Sequence, residues 1–347
     1  MKSGIDKSGR REKINIRKIR KNEYQVKDLV RGVLSGNTTL LSKTITLIES
    51  TLKSDIEKGN EVLEQCLKKK NNSIRVGITG VPGVGKSTFI ETLGKQLIES
   101  GNKVAVLAVD PTSNQSKGSI LGDKTRMESL VREKNAFIRP SPSSKSLGGV
   151  ARKTREAIIL CEAAGYNIVL IETVGVGQSE IAVHGMTDFF LLLKIAGAGD
   201  ELQGIKRGII EMADAIVINK SDGKNIKNTK LAAIEFRRAL DLYPLKMDGW
   251  KPKVATCSSL DSKSVLSIWK IIEDYVKAMK QTSLLYKKRE LQNKNWLLET
   301  IEEQLKINFY DNKKVIAALN SYIAKVIDKE ISPFKAAEEL LKLSEED

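Results

Sequence analysis

The sequence predicts an α/β fold, with a mostly parallel sheet flanked by helices. Short apolar runs alternate with helical patterns through the middle of the chain, between residues 73 and 281. A glycine-rich segment lies between the first apolar run and the first of these helices. Because alternating strands and helices form parallel crossover units, the carboxyl ends of the strands should share one edge of the sheet, where ligands bind.

Apolar runs bounded by polar or glycine-containing segments predict the strands of this sheet. They cover residues 74–79, 104–109, 168–171, 188–193, 215–218 and 253–256. Most of them are separated by helical patterns, over about 86–100, 149–164, 203–212, 227–240 and 262–280.

Helices are also predicted before the sheet. Apolar residues at helical spacing over 26–34 and 41–52 indicate two helices, which Gly36-Asn37 separates. Ser54-Asp55 is expected to cap a third helix. The first 24 residues are basic and polar without an apolar period, and this composition predicts disorder.

The chain is again helical from about 282 to 343. Within this stretch Trp296, Leu297, Ile301 and Leu305 are predicted to share one stripe of a helix. Ser332-Pro333 predicts the start of a last helix, with the serine as cap and the proline at the first helical position.

Composition excludes several classes of function. The net charge is +15, but residues 1–25 hold nine Lys/Arg against three Asp/Glu, and no RNA-binding or zinc-finger motif accompanies them. A lysine-rich solvated surface is therefore favoured over nucleic-acid binding. Three scattered cysteines and the single His184 argue against disulfides, structural zinc and a histidine-based triad. Without a membrane-length apolar run, a secretory signal or a transit peptide, we expect a cytoplasmic protein.

The glycine-rich segment carries the most specific motif. Gly80-Val-Pro-Gly83-Val84-Gly85-Lys86-Ser87 fits the phosphate-loop pattern G-x-x-x-x-G-K-[ST] in its required place between a strand and a helix. The glycines allow backbone N–H groups to face phosphate oxygens, and the following helix adds a favourable dipole. Lys86 is expected to reach the β and γ phosphates, Ser87 to bind Mg²⁺, and Thr88 to contact the α phosphate. The fold is thus predicted to be that of a P-loop NTPase.

A second motif indicates which base is bound. Asn219-Lys220-Ser221-Asp222 follows the apolar run 215–218 and resembles the guanine-binding N-K-x-D sequence of GTPases. Asp222 would accept two hydrogen bonds from guanine, which adenine cannot offer, so ATP should be rejected. Asn219 would brace the loop or touch the base, and the stem of Lys220 would cover the base. Ser258 and Ser259, after the run 253–256, fit a further base-contacting loop.

Carboxylates near strand ends are candidates for metal binding. Asp110 follows the run 104–109, Glu172 follows the run 168–171, and Asp123 lies in a loop. Together with Ser87, they offer the oxygen ligands that Mg²⁺ prefers. The same residue types also serve as helix caps and turn residues. Lys86, Glu172 and Asp123 are the predicted catalytic residues.

Glu172-Thr-Val-Gly175 stands where most GTPases have Asp-x-x-Gly. Gly175 is expected to sense the γ phosphate through its backbone N–H. Gln178 is near, but its spacing differs from that of the water-orienting glutamine of small GTPases. Slow intrinsic turnover that a partner raises is therefore expected.

Taken together, these motifs resemble the MeaB/ArgK/MMAA family of GTPases, which are chaperones of methylmalonyl-CoA mutase. The resemblance covers about residues 25–310, and its most specific parts are the runs 146–152 (SLGGVAR) and 197–206 (GAGDELQGIK). It rests on segments 77–88, 110–113, 118–127, 139–160, 172–180 and 197–206.

The resemblance implies a homodimer that hydrolyses GTP with Mg²⁺ and gates adenosylcobalamin loading into an acyl-CoA mutase, which it also protects. It further implies that 197–206 is an additional switch and that the helices over about 282–310 form much of the dimer interface. The chain is accordingly divided into a disordered basic tail (1–24), an N-terminal helical region (25–72), a P-loop GTPase domain (73–281) and a C-terminal helical dimerisation region (282–347).

The sequence departs from the family pattern at Lys117, at His184 and over Lys194-Ile-Ala196. None of these positions belongs to a nucleotide motif, and those at 117 and 194–196 flank switch segments. The departures therefore bear on partner specificity more than on GTP binding.

Two other functions remain open. A nucleotide-dependent kinase, as the transport-kinase label of some relatives suggests, would need an acceptor site and a carboxylate aimed at a substrate hydroxyl. A metal-insertion GTPase would rely on Cys and His ligands, for which one histidine and unpaired cysteines are a poor basis.

Overall fold

A computed structural model describes residues 24–69, 71–109, 127–140, 147–173, 179–197, 207–244, 246 and 248–345. Within these residues lies a seven-stranded sheet in which every pairing is parallel, with strand order β3-β2-β4-β1-β5-β6-β7. The strands are β1 Ile74–Thr79, β2 Val104–Val109, β3 Ala136–Arg139, β4 Ile168–Thr173, β5 Phe189–Ile195, β6 Ala215–Asn219 and β7 Lys253–Thr256.

Helices surround this sheet, and they confirm the predicted fold class of a parallel sheet flanked by helices. Those before β4 are α1 Val26–Leu34, α2 Thr38–Glu49, α3 Lys53–Cys66, α4 Lys86–Glu99, α5 Glu128–Val131 and α6 Leu147–Ala163. Those after β4 are α7 Ser179–His184, α8 Arg207–Met212, α9 Ile226–Leu240, α10 Ser262–Gln281, α11 Leu284–Asp311, α12 Lys313–Ile327 and α13 Pro333–Glu345.

The strand β1 is the topological centre of the sheet. It pairs with β4 on one side and with β5 on the other, so β2, β3 and β4 lie on one side of it and β5, β6 and β7 on the other. In open parallel sheets, ligands bind at the carboxyl ends of the strands where the strand order changes direction in this way. The loop after β1 is the predicted phosphate loop, so the topology puts it at that position.

Differences from the predicted elements are local. The strand predicted over 168–171 continues to Thr173, and the strand predicted over 188–193 covers Phe189–Ile195. Neither β3 nor the helices α5 and α7 were predicted, because each is only four to six residues long. The helix predicted from 203 begins at Arg207, and residues 203–206 lie outside the described residues.

The predicted cap of α3 is wrong. The N-cap is Leu52, which makes no side-chain cap bond, and Ser54 and Asp55 lie inside the first helical turn. The Asp55 carboxylate instead accepts a 2.8 Å hydrogen bond from the Ser50 hydroxyl, in the turn before the helix. The start of α13 is as predicted, since the Ser332 hydroxyl accepts from the backbone N–H of Lys335 at 3.2 Å.

Apolar layers on the two faces of the sheet hold the helices in place. On one face, Phe89 and Leu93 of α4 pack with Ile268 and Ile272 of α10. On the other face, α1–α3 and α6 bury a second cluster that includes residues of β2 and β4. The helix bearing the phosphate loop is therefore fixed from its buried side, and its first turn remains at the edge of the sheet.

At the amino ends of the strands, a buried ion pair attaches α11 to the sheet. Arg289 donates from Nε and a terminal nitrogen to the two carboxylate oxygens of Asp188, at 2.7 and 2.6 Å, and also to the carbonyl of Ser73 at 2.8 Å. The Asp188 carboxylate also accepts from the backbone N–H of Arg75 at 2.8 Å. Since Asp188 is fully buried, its charge depends on these donors.

Further along α11, an apolar stripe faces outward. Leu297, Ile301 and Leu305 are 61%, 46% and 63% exposed. Trp296 is partly buried, and the Arg155 guanidinium of α6 lies 6.0 Å from its ring centre.

Among the described residues, no helix combines the length and apolar character needed to cross a membrane. The boundaries of the predicted regions at 72/73 and 281/282 stay predictions.

Replacing Arg289 by methionine keeps an apolar stem but removes the partner of a buried carboxylate. We expect the free energy of unfolding to fall by about 3–5 kcal/mol, as for other buried ion pairs that lose one member. Urea denaturation followed by circular dichroism measures the change. Lys287→Met on the exposed side of the same helix is the control, and an Arg289→Met loss no larger than the control's would contradict the role of this pair.

Candidate functional site

The phosphate loop, residues 80–87, leaves the carboxyl end of β1 and enters α4. Gly80 and Gly85 have φ values of 151° and 97°, which side chains rarely tolerate. A Cβ on Gly80 would lie 2.4 Å from the Leu193 carbonyl oxygen, and one on Gly85 would lie 2.7 Å from the Asn219 side-chain nitrogen. Both glycines are required because neighbouring groups pack directly on the loop backbone.

Lys86 lies at the first position of α4 and is only 8% exposed. Its ammonium group donates to the carbonyl oxygens of Gly80 at 2.8 Å and Val81 at 3.3 Å. The positive charge is therefore held within the loop by backbone dipoles. Because the loop also presents the amino end of a helix, this location favours an anion such as a phosphate.

Two of the predicted metal ligands lie side by side. The Ser87 hydroxyl donates to a carboxylate oxygen of Glu172 at 3.1 Å, which joins the first turn of α4 to the end of β4. A hydroxyl and a carboxylate are hard oxygen donors, so this pair fits Mg²⁺. Asp110 and Asp123 lie outside the described residues, as does Gly175, and the described residues alone hold no group of three or more His, Cys, Asp or Glu suited to a metal.

Next to this pair, two threonines connect β1 to β4. The Thr173 hydroxyl donates to the Thr79 hydroxyl at 2.8 Å, and both side chains are buried. Thr79 is the last residue of β1 and Thr173 the last of β4. This contact ties the start of the phosphate loop to the strand end that carries Glu172. The sequence does not predict this contact, because two threonines 94 residues apart carry no pairing signal.

Asn219, at the end of β6, connects the phosphate loop to the second predicted base loop. Its side-chain nitrogen donates to the Val84 carbonyl at 2.8 Å. Its side-chain oxygen accepts from the Ser259 backbone N–H at 3.1 Å and from the Ser259 hydroxyl at 2.8 Å. Asn219 is 1% exposed. Of the two roles predicted for Asn219, the described contacts correspond to bracing.

The guanine motif and the loop after β7 also meet through side chains. The Ser258 hydroxyl donates to one carboxylate oxygen of Asp222 at 2.7 Å, so the carboxylate is oriented from one side. The backbone N–H of Ser221 donates to the Cys257 carbonyl at 3.0 Å. Lys220 has a φ of 57°, an uncommon left-handed conformation for a lysine, which turns the chain sharply between Asn219 and Asp222.

The described geometry therefore brings most of the predicted site residues to one edge of the sheet. Apart from Glu172 near the end of β4, they form three segments: the phosphate loop with Gly83 and Thr88, the Asn219–Asp222 loop, and the Ser258–Ser259 loop. Thr88 and Asp222 are exposed at this edge, whereas Lys86, Asn219, Ser258 and Ser259 are buried.

Burial raises the pKa of the Cys257 thiol, next to Ser258, to about 11, so this cysteine is neutral near pH 7.

Two of the positions at which the sequence departs from the family pattern are described: Lys194 lies in β5, and His184 is the last residue of α7. Lys194 in β5 is 6% exposed, and its ammonium lies 5.5 Å from the centre of the Phe236 ring. His184 ends α7 and meets Phe190 edge-on at 5.5 Å. Burial lowers the pKa of His184 to about 4, so its imidazole is neutral at pH 7. Lys117 lies outside the described residues.

Comparison with known proteins supports the same interpretation. The family model described as "Methylmalonyl Co-A mutase-associated GTPase MeaB" matches residues 41–314. The GTPase ArgK of Escherichia coli (strain K12) is 43% identical over 312 residues, which cover 90% of this chain and 94% of that protein.

A mitochondrial relative and a solved structure are similar over comparable lengths. The methylmalonic aciduria type A homolog of Mus musculus is 44% identical over 332 residues, or 93% of this chain and 80% of that protein. The crystal structure of a LAO/AO transport system kinase matches with a TM-score of 0.74 and 37% identity, and the match covers 92% of this chain and 98% of that one. With its P-loop fold and these matches, the chain belongs to the MeaB family of methylmalonyl-CoA mutase-associated GTPases.

Proposed function

We propose that this GTPase binds Mg²⁺-GTP at the carboxyl edge of the sheet and acts as a chaperone of an adenosylcobalamin-dependent acyl-CoA mutase. The observation that carries the nucleotide part is the Asn219 side chain, which bonds to the phosphate loop and to the Ser259 loop at the same time. The loop proposed to bind phosphate and the loops proposed to bind the base are thus joined by hydrogen bonds through Asn219.

The phosphate end of the site would bind the triphosphate through backbone N–H groups of residues 80–87. Lys86 would exchange its contacts with the Gly80 and Val81 carbonyls for the β and γ phosphates. This exchange is favourable because the phosphate groups carry full negative charges, whereas a carbonyl group is only a dipole. Lys86 then stabilises the charge that develops on the phosphoryl oxygens during hydrolysis.

Ser87 and Glu172 would hold the Mg²⁺ ion, with Asp110 and Asp123 as the further predicted ligands. When bound, Mg²⁺ neutralises negative charge on the phosphate oxygens. The bond between the Ser87 hydroxyl and Glu172 supports this role, because it presents two oxygen donors beside the phosphate loop. Gly175 stays the proposed sensor of the γ phosphate.

At the base end, Asp222 would accept from the N1–H and N2–H groups of guanine. The Ser258 hydroxyl already bonds to one of its oxygens and so fixes the plane of the carboxylate. Adenine offers no matching pair of donors, so bound ATP would leave Asp222 unpaired. Lys220 would lie over the base, as predicted from the motif.

The family description supports a mutase as partner, and an exposed apolar surface supports a second copy of this chain. The family description names an association with methylmalonyl-CoA mutase, and we propose that nucleotide state here gates adenosylcobalamin loading and protects such a mutase. The outward stripe of Leu297, Ile301 and Leu305 on α11 supports the proposed homodimer, because a row of exposed apolar side chains favours burial against another chain.

Replacing Lys86 by alanine should reduce GTP hydrolysis by at least about 100-fold, because the charge that contacts the β and γ phosphates is lost. Phosphate release under saturating Mg²⁺-GTP measures the rate. Lys95→Ala, in the same helix but outside the loop, is the control. Undiminished turnover by the folded Lys86→Ala protein would refute the phosphate-loop assignment.

Replacing Asp222 by alanine should weaken guanine binding by about 10- to 100-fold, since hydrogen bonds to a charged acceptor are removed. Asp222→Asn should in addition favour xanthosine triphosphate, whose C2 carbonyl accepts from the new amide. Competition against a fluorescent GDP analogue measures both effects, with the exposed Asp241→Asn as control. An unchanged preference for guanine would place base recognition elsewhere.

Adding a cobalamin-dependent acyl-CoA mutase should raise the GTP turnover of the purified protein, because the segment after Glu172 has no glutamine at the spacing of the water-orienting glutamine of small GTPases. Turnover is measured with and without the mutase, and transfer of adenosylcobalamin to the mutase is followed by absorbance. Lys86→Ala should abolish any nucleotide dependence of that transfer. Turnover that no such mutase changes would remove the proposed partner and reopen the kinase and metal-insertion alternatives.

A further inference from the structure

A threonine outside the nucleotide motifs closes a ring of hydrogen bonds around the base end of the site. The Thr92 hydroxyl in α4 donates to the Ser259 carbonyl at 2.7 Å. Ser259 donates to Asn219, and Asn219 donates to the Val84 carbonyl of the phosphate loop. The phosphate loop leads directly into α4, so the ring returns to the helix that carries Thr92.

We propose that Thr92 is a positioning residue. It holds the Ser258–Ser259 loop in a fixed position relative to the phosphate loop and thereby sets the affinity for guanine nucleotides. This inference rests on the proposed nucleotide site. Thr92 is six residues beyond Lys86 in sequence, which is more than one helical turn from the phosphate loop. We therefore expect it to act through Ser259 rather than by touching the nucleotide.

Thr92 can influence guanine binding because Ser259, which it contacts, is preceded along the chain by Ser258, which contacts Asp222. Ser259 is held on one side by Asn219 and on the other by Thr92, and it is only 5% exposed. Ser258 precedes it in the chain and orients Asp222 through a 2.7 Å bond. A shift of the Ser259 backbone therefore moves the Ser258 hydroxyl relative to Asp222, and the carboxylate loses part of its alignment for guanine.

The loop also has supports that do not depend on Thr92. The backbone N–H of Ser258 donates to the Ser264 hydroxyl at 3.1 Å, and the Asp261 N–H donates to the Ser258 carbonyl at 3.1 Å. These bonds anchor the far side of the loop to the start of α10. Loss of the Thr92 hydroxyl should therefore loosen the side facing α4 without unfolding the loop.

The predicted effect falls on affinity and leaves the chemical step nearly unchanged. Lys86 and the Ser87–Glu172 pair lie at the phosphate end of the site, whereas the Thr92 hydroxyl donates to Ser259 at the base end. Removing one hydrogen bond of this kind corresponds to about a five- to tenfold change in an equilibrium constant. Because mutational effects on affinity arise mostly in dissociation, the release rate should change by a similar factor.

The test compares Thr92→Val, which keeps the shape and removes the hydroxyl, with Thr92→Ser, which keeps the hydroxyl. Thr44→Val is the matched control, since the Thr44 hydroxyl also donates to a backbone carbonyl, that of Leu40 at 2.9 Å, in a helix away from the site. For each protein, release of a fluorescent GDP analogue is measured by chase with unlabelled GDP. KM and kcat for GTP and the melting temperature are measured in parallel.

We expect Thr92→Val to release the analogue about five- to tenfold faster and to raise KM by a similar factor, with kcat changed less than about twofold. Thr92→Ser should restore values close to those of the unaltered chain, and Thr44→Val should not change nucleotide release. A Thr92→Val protein with normal release and KM would overturn the proposal, whether or not its melting temperature falls. If the unaltered chain itself fails to bind guanine nucleotide, the proposed function fails, and not only the role of Thr92.

Discussion

The proposed nucleotide site depends on the Asn219 side chain, which carries a donor and an acceptor on one rigid group. The donor meets the Val84 carbonyl and the acceptor meets Ser259, so the amide spans two loops that are far apart in sequence. An aspartate at this position would offer no donor to Val84, and a serine would be too short to reach both loops. Since Asn219 is buried, either missing partner would leave a polar group unpaired, at a cost of about 1–3 kcal/mol.

The parallel sheet makes this bridge possible. Its pairings put β1 beside β4 and β5, and β6 between β5 and β7, with every carboxyl end at the same edge. Residues separated by more than a hundred positions, such as Val84 and Asn219, thus come within hydrogen-bond distance. The apolar layers on both faces fix the strands, so the loops at this edge need only short polar contacts to define their shape.

Sequence patterns predicted the long elements and the motif residues because these depend on local spacing. The glycines of the phosphate loop and the strand before it are contiguous, and the Asn219–Asp222 motif follows an apolar strand in the same way. The edge strand β3 was missed because four residues, Ala136–Arg139, carry too little periodicity. The Thr92–Ser259 and Thr79–Thr173 contacts were missed for another reason: hydroxyl side chains are compatible with many environments, and only the fold brings these pairs together.

The two ends of the strands are held by different kinds of interaction. At the amino ends, the Arg289–Asp188 pair is charged, bidentate and largely buried. A displacement of α11 would therefore leave the buried Asp188 carboxylate without its partner, at a high electrostatic cost. At the carboxyl ends, the loops are joined by hydrogen bonds from hydroxyl and amide groups, which can exchange one partner for another at a smaller net cost than an ion pair. A site that must bind, hydrolyse and release a nucleotide needs such exchangeable contacts. The fold can tolerate them there because its charged attachment lies at the opposite end of the strands.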